Sequence, residues 1–200
     1  MSTAAFETLL DAVRQTYLAT PQLIGFAPFP NDIAPQLLQE FHTNPLKLFL
    51  AETKLYCPTS SLRDAIVGAA PHAHWRETYK ETNIGQDFME RFGCYAIIGN
   101  DAPFSSQTLW AWMVYMPKGL HYPWHQHPAA EMYFVVAGEA QFMRDGMATK
   151  TLGPGDTCFH ASNQPHAMET GDLPVLCLVV WRDQFETGPS LTPQGLAKTR

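Results

Sequence analysis

The sequence predicts a mainly β protein, an antiparallel sandwich or barrel, with a helical layer ahead of it. Two patterns carry this. Apolar residues recur at 3–4-residue spacing through the first half of the chain. From Cys94 onward, short runs rich in aromatic and β-branched residues alternate with Gly, Pro, Asn and Asp. A length of 200 residues, 46% of them hydrophobic, suits one domain with a sizeable core. The expected division is a helical extension over 1–93, a barrel over 94–186 and a loosely ordered tail over 187–200.

Phe6, Leu9, Leu10, Val13 and Tyr17 share one helical face, and Pro21 closes the pattern. The stretch Thr20 to Pro30, with Pro21, Gly25, Pro28 and Pro30, reads as an irregular loop, a packing loop or a lid. Asp32 is placed to cap a second helix carrying Leu37, Leu38 and Phe41, ending before Pro45. Ser61-Leu-Arg-Asp64 resembles a capping box for a short helix reaching Ala69. Phe88, Met89 and Phe92 mark another, with Gly93 just past its end. Trp75 and Tyr79, in HWRETYKE, receive no assignment.

Candidate strands run over 94–98, 107–116, 131–137, 139–144, 147–152, 157–160 and 174–182. Asp145-Gly146 signals a type I′ hairpin turn, and Gly153-Pro-Gly-Asp156 another sharp turn. Many short strands with close turns argue for an antiparallel sandwich or barrel.

Composition excludes several function classes. Charged residues are 16%, below the usual ~25%, and the formal charge is −6 with no basic run, so nucleic acid is not an expected partner. The N-terminus lacks the basic and apolar regions of a secretory signal, and the run Val175 to Trp181 is too short to span a bilayer. A soluble, cytoplasmic protein without membrane partners is expected, as monomer or homodimer. Cys57, Cys94, Cys158 and Cys177 form no CxxC pair and read as buried free thiols.

Three of the eight histidines, His121, His125 and His127, fall within seven residues. His125 and His127 are two apart, so on a strand they face one side. Glu131 and Tyr133 share parity on the next strand, and a turn at Pro128-Ala-Ala brings the pairs together. Two imidazoles and a carboxylate facing one cavity suit a divalent transition metal: Zn, Fe, Mn, Co or Ni. His166 is the best candidate for a further ligand, with His160 its competitor.

The spacing Gly119, His125, His127, Glu131, Gly138 resembles the first motif of the cupin superfamily at every position. Pro154-Gly155-Asp156 followed by His166 resembles the second, except that Asn163 precedes the histidine. The resemblance implies a double-stranded β-helix, a jelly-roll barrel with metal inside, over about residues 94–185. The string Tyr-Pro-x-His-x-His-Pro-Ala-x-Glu-x-Tyr is more specific. Together with the helical first half, it is similar to the dimethylsulfoniopropionate lyases of the cupin superfamily, of the DddQ type.

That likeness implies cleavage of a small zwitterionic sulfonium substrate to dimethyl sulfide and acrylate. It implies His127, Glu131 and His166 as metal ligands and Tyr133 as a base at the metal. Tyr122, His125 and Trp181 would line the substrate pocket, and His125 is either ligand or neighbour. The chemistry is coherent. A divalent metal acidifies the C–H beside a bound carboxylate. A tyrosine of ordinary pKa ~10 becomes a usable base only beside such a cation. Tyr122, Trp124 and Trp181 offer faces to a sulfonium, each worth roughly 0.5–2 kcal/mol. Trp110 and Trp112 read as core. A cupin oxygenase or isomerase acting on another small acid, or a non-catalytic sensor, are the competing expectations.

Overall fold

In a computed structural model, residues 2–55 and 60–193 are described. The first half contributes α1 (Ser2–Ala19), α2 (Pro21–Phe26), β1 (Ala34–Pro35), α3 (Asn44–Ala51), α4 (Ser61–Ala69) and α5 (Gln86–Arg91). The second half is strands: β2 (Gly93–Ile98), β3 (Phe104–Ser105), β4 (Trp110–Met116), β5 (His121–Gln126), β6 (Ala130–Gly138) and β7 (Ala140–Arg144). They continue as β8 (Lys150–Leu152), β9 (Thr157–His160), β10 (His166–Glu169), β11 (Val175–Arg182) and β12 (Ser190–Leu191).

These strands form a seven-stranded sheet, β1-β3-β2-β4-β11-β6-β9, and a five-stranded sheet, β12-β5-β10-β7-β8. Successive strands from β4 onward largely alternate between the two sheets, and their pairings are antiparallel. This is the two-sheet, cupin-like jelly roll expected from the sequence.

The larger sheet is covered on both faces, which explains why every residue of β4 is buried. Leu176, Leu178 and Val180 of β11 join Phe6, Leu9, Val13 and Tyr17 of α1 in the outer core. Cys177, Val179 and Trp181, at the opposite parity, face the interior with Tyr133, Val135 and Phe142. The helical layer therefore supports the sheet that carries half of the site. The motif glycine Gly138 has a physical basis: its φ is +72°, and an added Cβ would overlap the Pro174 carbonyl oxygen.

Several local expectations are corrected. Residues 32–43 are not helical. Asp32 instead accepts from Ser106 Oγ at 2.7 Å and Gln107 N at 2.8 Å, tying down the loop before β4. Pro45 does not follow a helix but opens α3 as a first-turn proline. Likewise Pro21 both closes α1 and starts α2, whose Leu23 and Phe26 are buried in the outer core. Ser60, not Ser61, caps α4, accepting from Arg63 N at 2.9 Å. At the β7–β8 turn only Gly146 has positive φ, so the turn is not type I′. Within the tail, β12 pairs with β5. Cys94, Cys158 and Cys177 are buried free thiols, and Cys57 lies outside the described residues.

Candidate active site

Antiparallel pairing collects the candidate residues at one end of the jelly roll. Glu131, at the start of β6, lies opposite His160 at the end of β9 and Trp181 near the end of β11. His166, opening β10, lies opposite His125 of β5. Between His166 and Met168 the register slips, so that Pro123 and Trp124 of β5 together oppose Ala167 of β10. This bulge turns both Tyr122 and His125 inward, which a regular strand would not do. Their rings stack at 4.0 Å.

The imidazoles are oriented from behind. His125 Nδ1 meets the Pro123 carbonyl at 2.8 Å, His127 Nδ1 the Ala129 carbonyl at 2.9 Å, and His166 Nδ1 the Gln164 carbonyl at 2.8 Å. Each contact fixes the proton on Nδ1 and leaves Nε2 as a free lone pair. Nε2 of His127 and of His166 is buried without a hydrogen-bond partner among the described residues. They lie 3.5 and 3.3 Å from the Glu131 carboxylate. Buried lone pairs converging on a carboxylate fit a divalent cation. Ligand atoms of His125, His127 and His166, and of Glu131, His160 and His166, lie within 4.8 Å of one another.

His160 differs from the other three. Its Nδ1 donates to Glu131 Oε2 at 2.6 Å, and its Nε2 faces Cys158 Sγ at 3.5 Å. The indole of Trp181 donates to the other oxygen, Oε1, at 2.7 Å. Burial pushes the Glu131 carboxyl up. The charge of His127 and the contacts with His127, His160 and His166 outweigh this and hold it well below the usual carboxylate range. Burial, then His166, lowers His160 to about 3, so it is a neutral donor.

Glu131 and Tyr133 open onto a cavity of about 140 Å³, walled by Trp110, Trp112, Trp181 and Tyr122. Trp110 and Trp112 are therefore cavity walls, not merely core; their parity on β4 was the available signal. Trp124 is half-buried and absent from the wall, its carbonyl accepting from Thr192 N at 2.9 Å. His125 is not on the wall either, but lies behind Tyr122. Tyr79, unassigned from sequence, shares a 2.8 Å hydroxyl contact with Tyr122. Trp75 belongs to the outer core, its indole donating to the Ala70 carbonyl.

Fold and site together define a cupin with a buried His/Glu group able to hold a metal ion. The chain belongs to the dimethylsulfoniopropionate lyase family, whose model matches residues 46–177. It is 44% identical over 193 residues to dimethylsulfoniopropionate lyase DddQ of Ruegeria pomeroyi, covering 96% of each chain. The crystal structure of that lyase superposes with a TM-score of 0.93 at 43% identity, over 96% of this chain and 98% of that one. A chain from crystal structures of the lyases RdDddP and RnDddQII gives 0.91 at 36% identity, over 96% and 100%.

Proposed function

We propose that this protein is a metal-dependent carbon–sulfur lyase that cleaves dimethylsulfoniopropionate to dimethyl sulfide and acrylate. The observation that carries the reading is the placement of Glu131 and Tyr133 on one face of β6, both opening onto a cavity walled by tryptophans. The family membership supports the substrate.

His127, Glu131 and His166 would hold the metal, with His125 and Tyr133 beside it. When bound, a divalent cation polarises the substrate carboxylate, acidifies the adjacent C–H and favours phenolate at a neighbouring tyrosine. Burial, then the Glu131 charge, pushes the Tyr133 phenol well above its ordinary value, so without a cation it keeps its proton. As phenolate, Tyr133 Oη takes the α-proton. The C–H electron pair becomes the Cα=Cβ bond, and the Cβ–S pair leaves on sulfur. Trp181 and Trp112, with ring centroids 4.6 Å apart, offer π faces to the sulfonium. Tyr122, held by Tyr79 and stacked on His125, closes the apolar wall and helps exclude water.

The test is headspace dimethyl sulfide from purified protein, dimethylsulfoniopropionate and added divalent metals. Sulfide release that disappears on chelation is expected. No sulfide above a metal-only blank with any metal overturns the reading.

A further inference from the structure

The segment His74–Glu81 belongs to the helical half, yet it reaches the cavity. Its backbone is anchored on both sides. Trp75 N donates to the Phe41 carbonyl and Arg76 N to the Cys94 carbonyl, each at 2.8 Å. Trp75, fully buried, pins the segment against Tyr95. Arg76, just after the Trp75 bridge, and Thr78, in the turn that follows, both line the cavity.

Arg76 is the one cation among the described lining residues. Its Nη1 is buried, and no group among the described residues accepts from it. Neither Glu131 nor Glu186, the acidic side chains on the same wall, lies within ion-pair distance of it. The Glu131 oxygens are instead taken by Trp181 and His160. A guanidinium whose buried Nη1 has no acceptor among the described residues, beside an aromatic cavity, matches the planar two-oxygen geometry of a carboxylate. Its charge reaches the Cys94 thiol, another wall residue, partly offsetting the rise that burial causes there.

We infer that Arg76 is a carboxylate-binding residue of the cavity, set on the Trp75–Tyr79 segment. Resting on the proposed lyase activity, this gives the cavity a handle for the carboxylate of the substrate or of the acrylate product. It also gives the helical half a task in recognition.

Two measurements decide it. The first is calorimetric titration of the metal-free full-length protein with acrylate and with its uncharged isostere acrylamide. Acrylate binding that weakens about tenfold or more in Arg76→Gln, and less in Arg76→Lys, is expected. Undetectable acrylate binding by the parent protein, unchanged affinity in Arg76→Gln, or an equal loss for acrylamide overturns it. Melting temperature reports whether Arg76→Gln folds; if it does not, Arg76→Lys, which keeps the charge but not the fork, carries the comparison.

The second measurement is steady-state kinetics of the metal-loaded enzyme. A raised KM for substrate, with kcat within about twofold, assigns the substrate carboxylate to Arg76. Weaker inhibition by acrylate with unchanged KM assigns the product's. Neither change overturns both. The titration needs no turnover, so it stands or fails separately from the lyase reading.

Discussion

Trp181 Nε1 donates to Glu131 Oε1 at 2.7 Å although 50 residues separate the two. The antiparallel register of β11 and β6 sets them directly opposite each other. With His160 on Oε2, both oxygens of the buried carboxylate are held, and its plane is fixed.

Trp181→Phe keeps an aromatic face but removes this donor. A hydrogen bond to a charged acceptor contributes about 1.5–3 kcal/mol. Groups of this kind typically tune metal affinity by about 10–100-fold. A metal dissociation constant raised about tenfold is expected in competition with a chromophoric chelator. An unchanged constant would mean that Glu131 does not depend on the indole.

The two candidate histidines separate by what their nitrogens already do. His166 has Nδ1 on a carbonyl and Nε2 unpartnered, as a ligand would. His160 has Nδ1 on Glu131 and Nε2 against Cys158, as a support would. His166→Ala should lose stoichiometric metal. His160→Gln should retain it with affinity reduced about 10–100-fold. Metal analysis after gel filtration reads both, and the reverse pattern would exchange the roles.

The strand half of the fold was legible because short aromatic and β-branched runs stand between turn residues. Glu131 and Tyr133 could be paired by parity alone. Tyr122 and His125 on one face could not, because that depends on a bulge decided by tertiary pairing. The helical half was less legible around Asp32. A capping residue there serves a loop 74 residues away, and the local signal for a helix N-terminus is the same. Arg76 and Tyr79 left only an unusual density of rings and charges. Their task depends on which strand edge the segment meets.

Metal-free protein should be acid-labile. Burial, then His166, holds His160 at about 3 and His125 well below the ordinary 6.5. Below 6.5 the unfolded chain binds protons that these folded imidazoles refuse. Their stability is thus present above 6.5 and is lost as pH falls toward their folded values, by about 1.4 kcal/mol per unit for each group. Glu131, depressed from 4.5, adds a loss that begins only below that value. His127 runs the other way. Burial lowers it, but Glu131 outweighs burial and raises it above 6.5, so its contribution is lost on the alkaline side. The melting temperature of chelated protein should fall steadily from pH 6.5 to 4.5, and less steeply in His160→Gln. A flat profile would contradict a neutral His160.

Tyr133→Phe isolates the proton-transfer step. Tyr133 shares its face with Glu131, and its ring lies 5.5 Å from that of His160 and 5.5 Å from that of Phe142. Removing the hydroxyl leaves these ring contacts and the strand pairing with Val179 and Cys158 intact. The imidazoles and Glu131 should therefore still take up metal, with affinity within about tenfold of the parent. Turnover should fall by about 10²–10⁴-fold, the usual worth of a positioned acid–base group. On the proposed mechanism, the variant has lost the acceptor of the α-proton. Exchange of the substrate's α-hydrogen with deuterated solvent should stop in parallel. A Tyr133→Phe enzyme that keeps its metal and retains near-parental sulfide release would remove Tyr133 as the base. Loss of metal together with activity would instead make it chiefly a ligand.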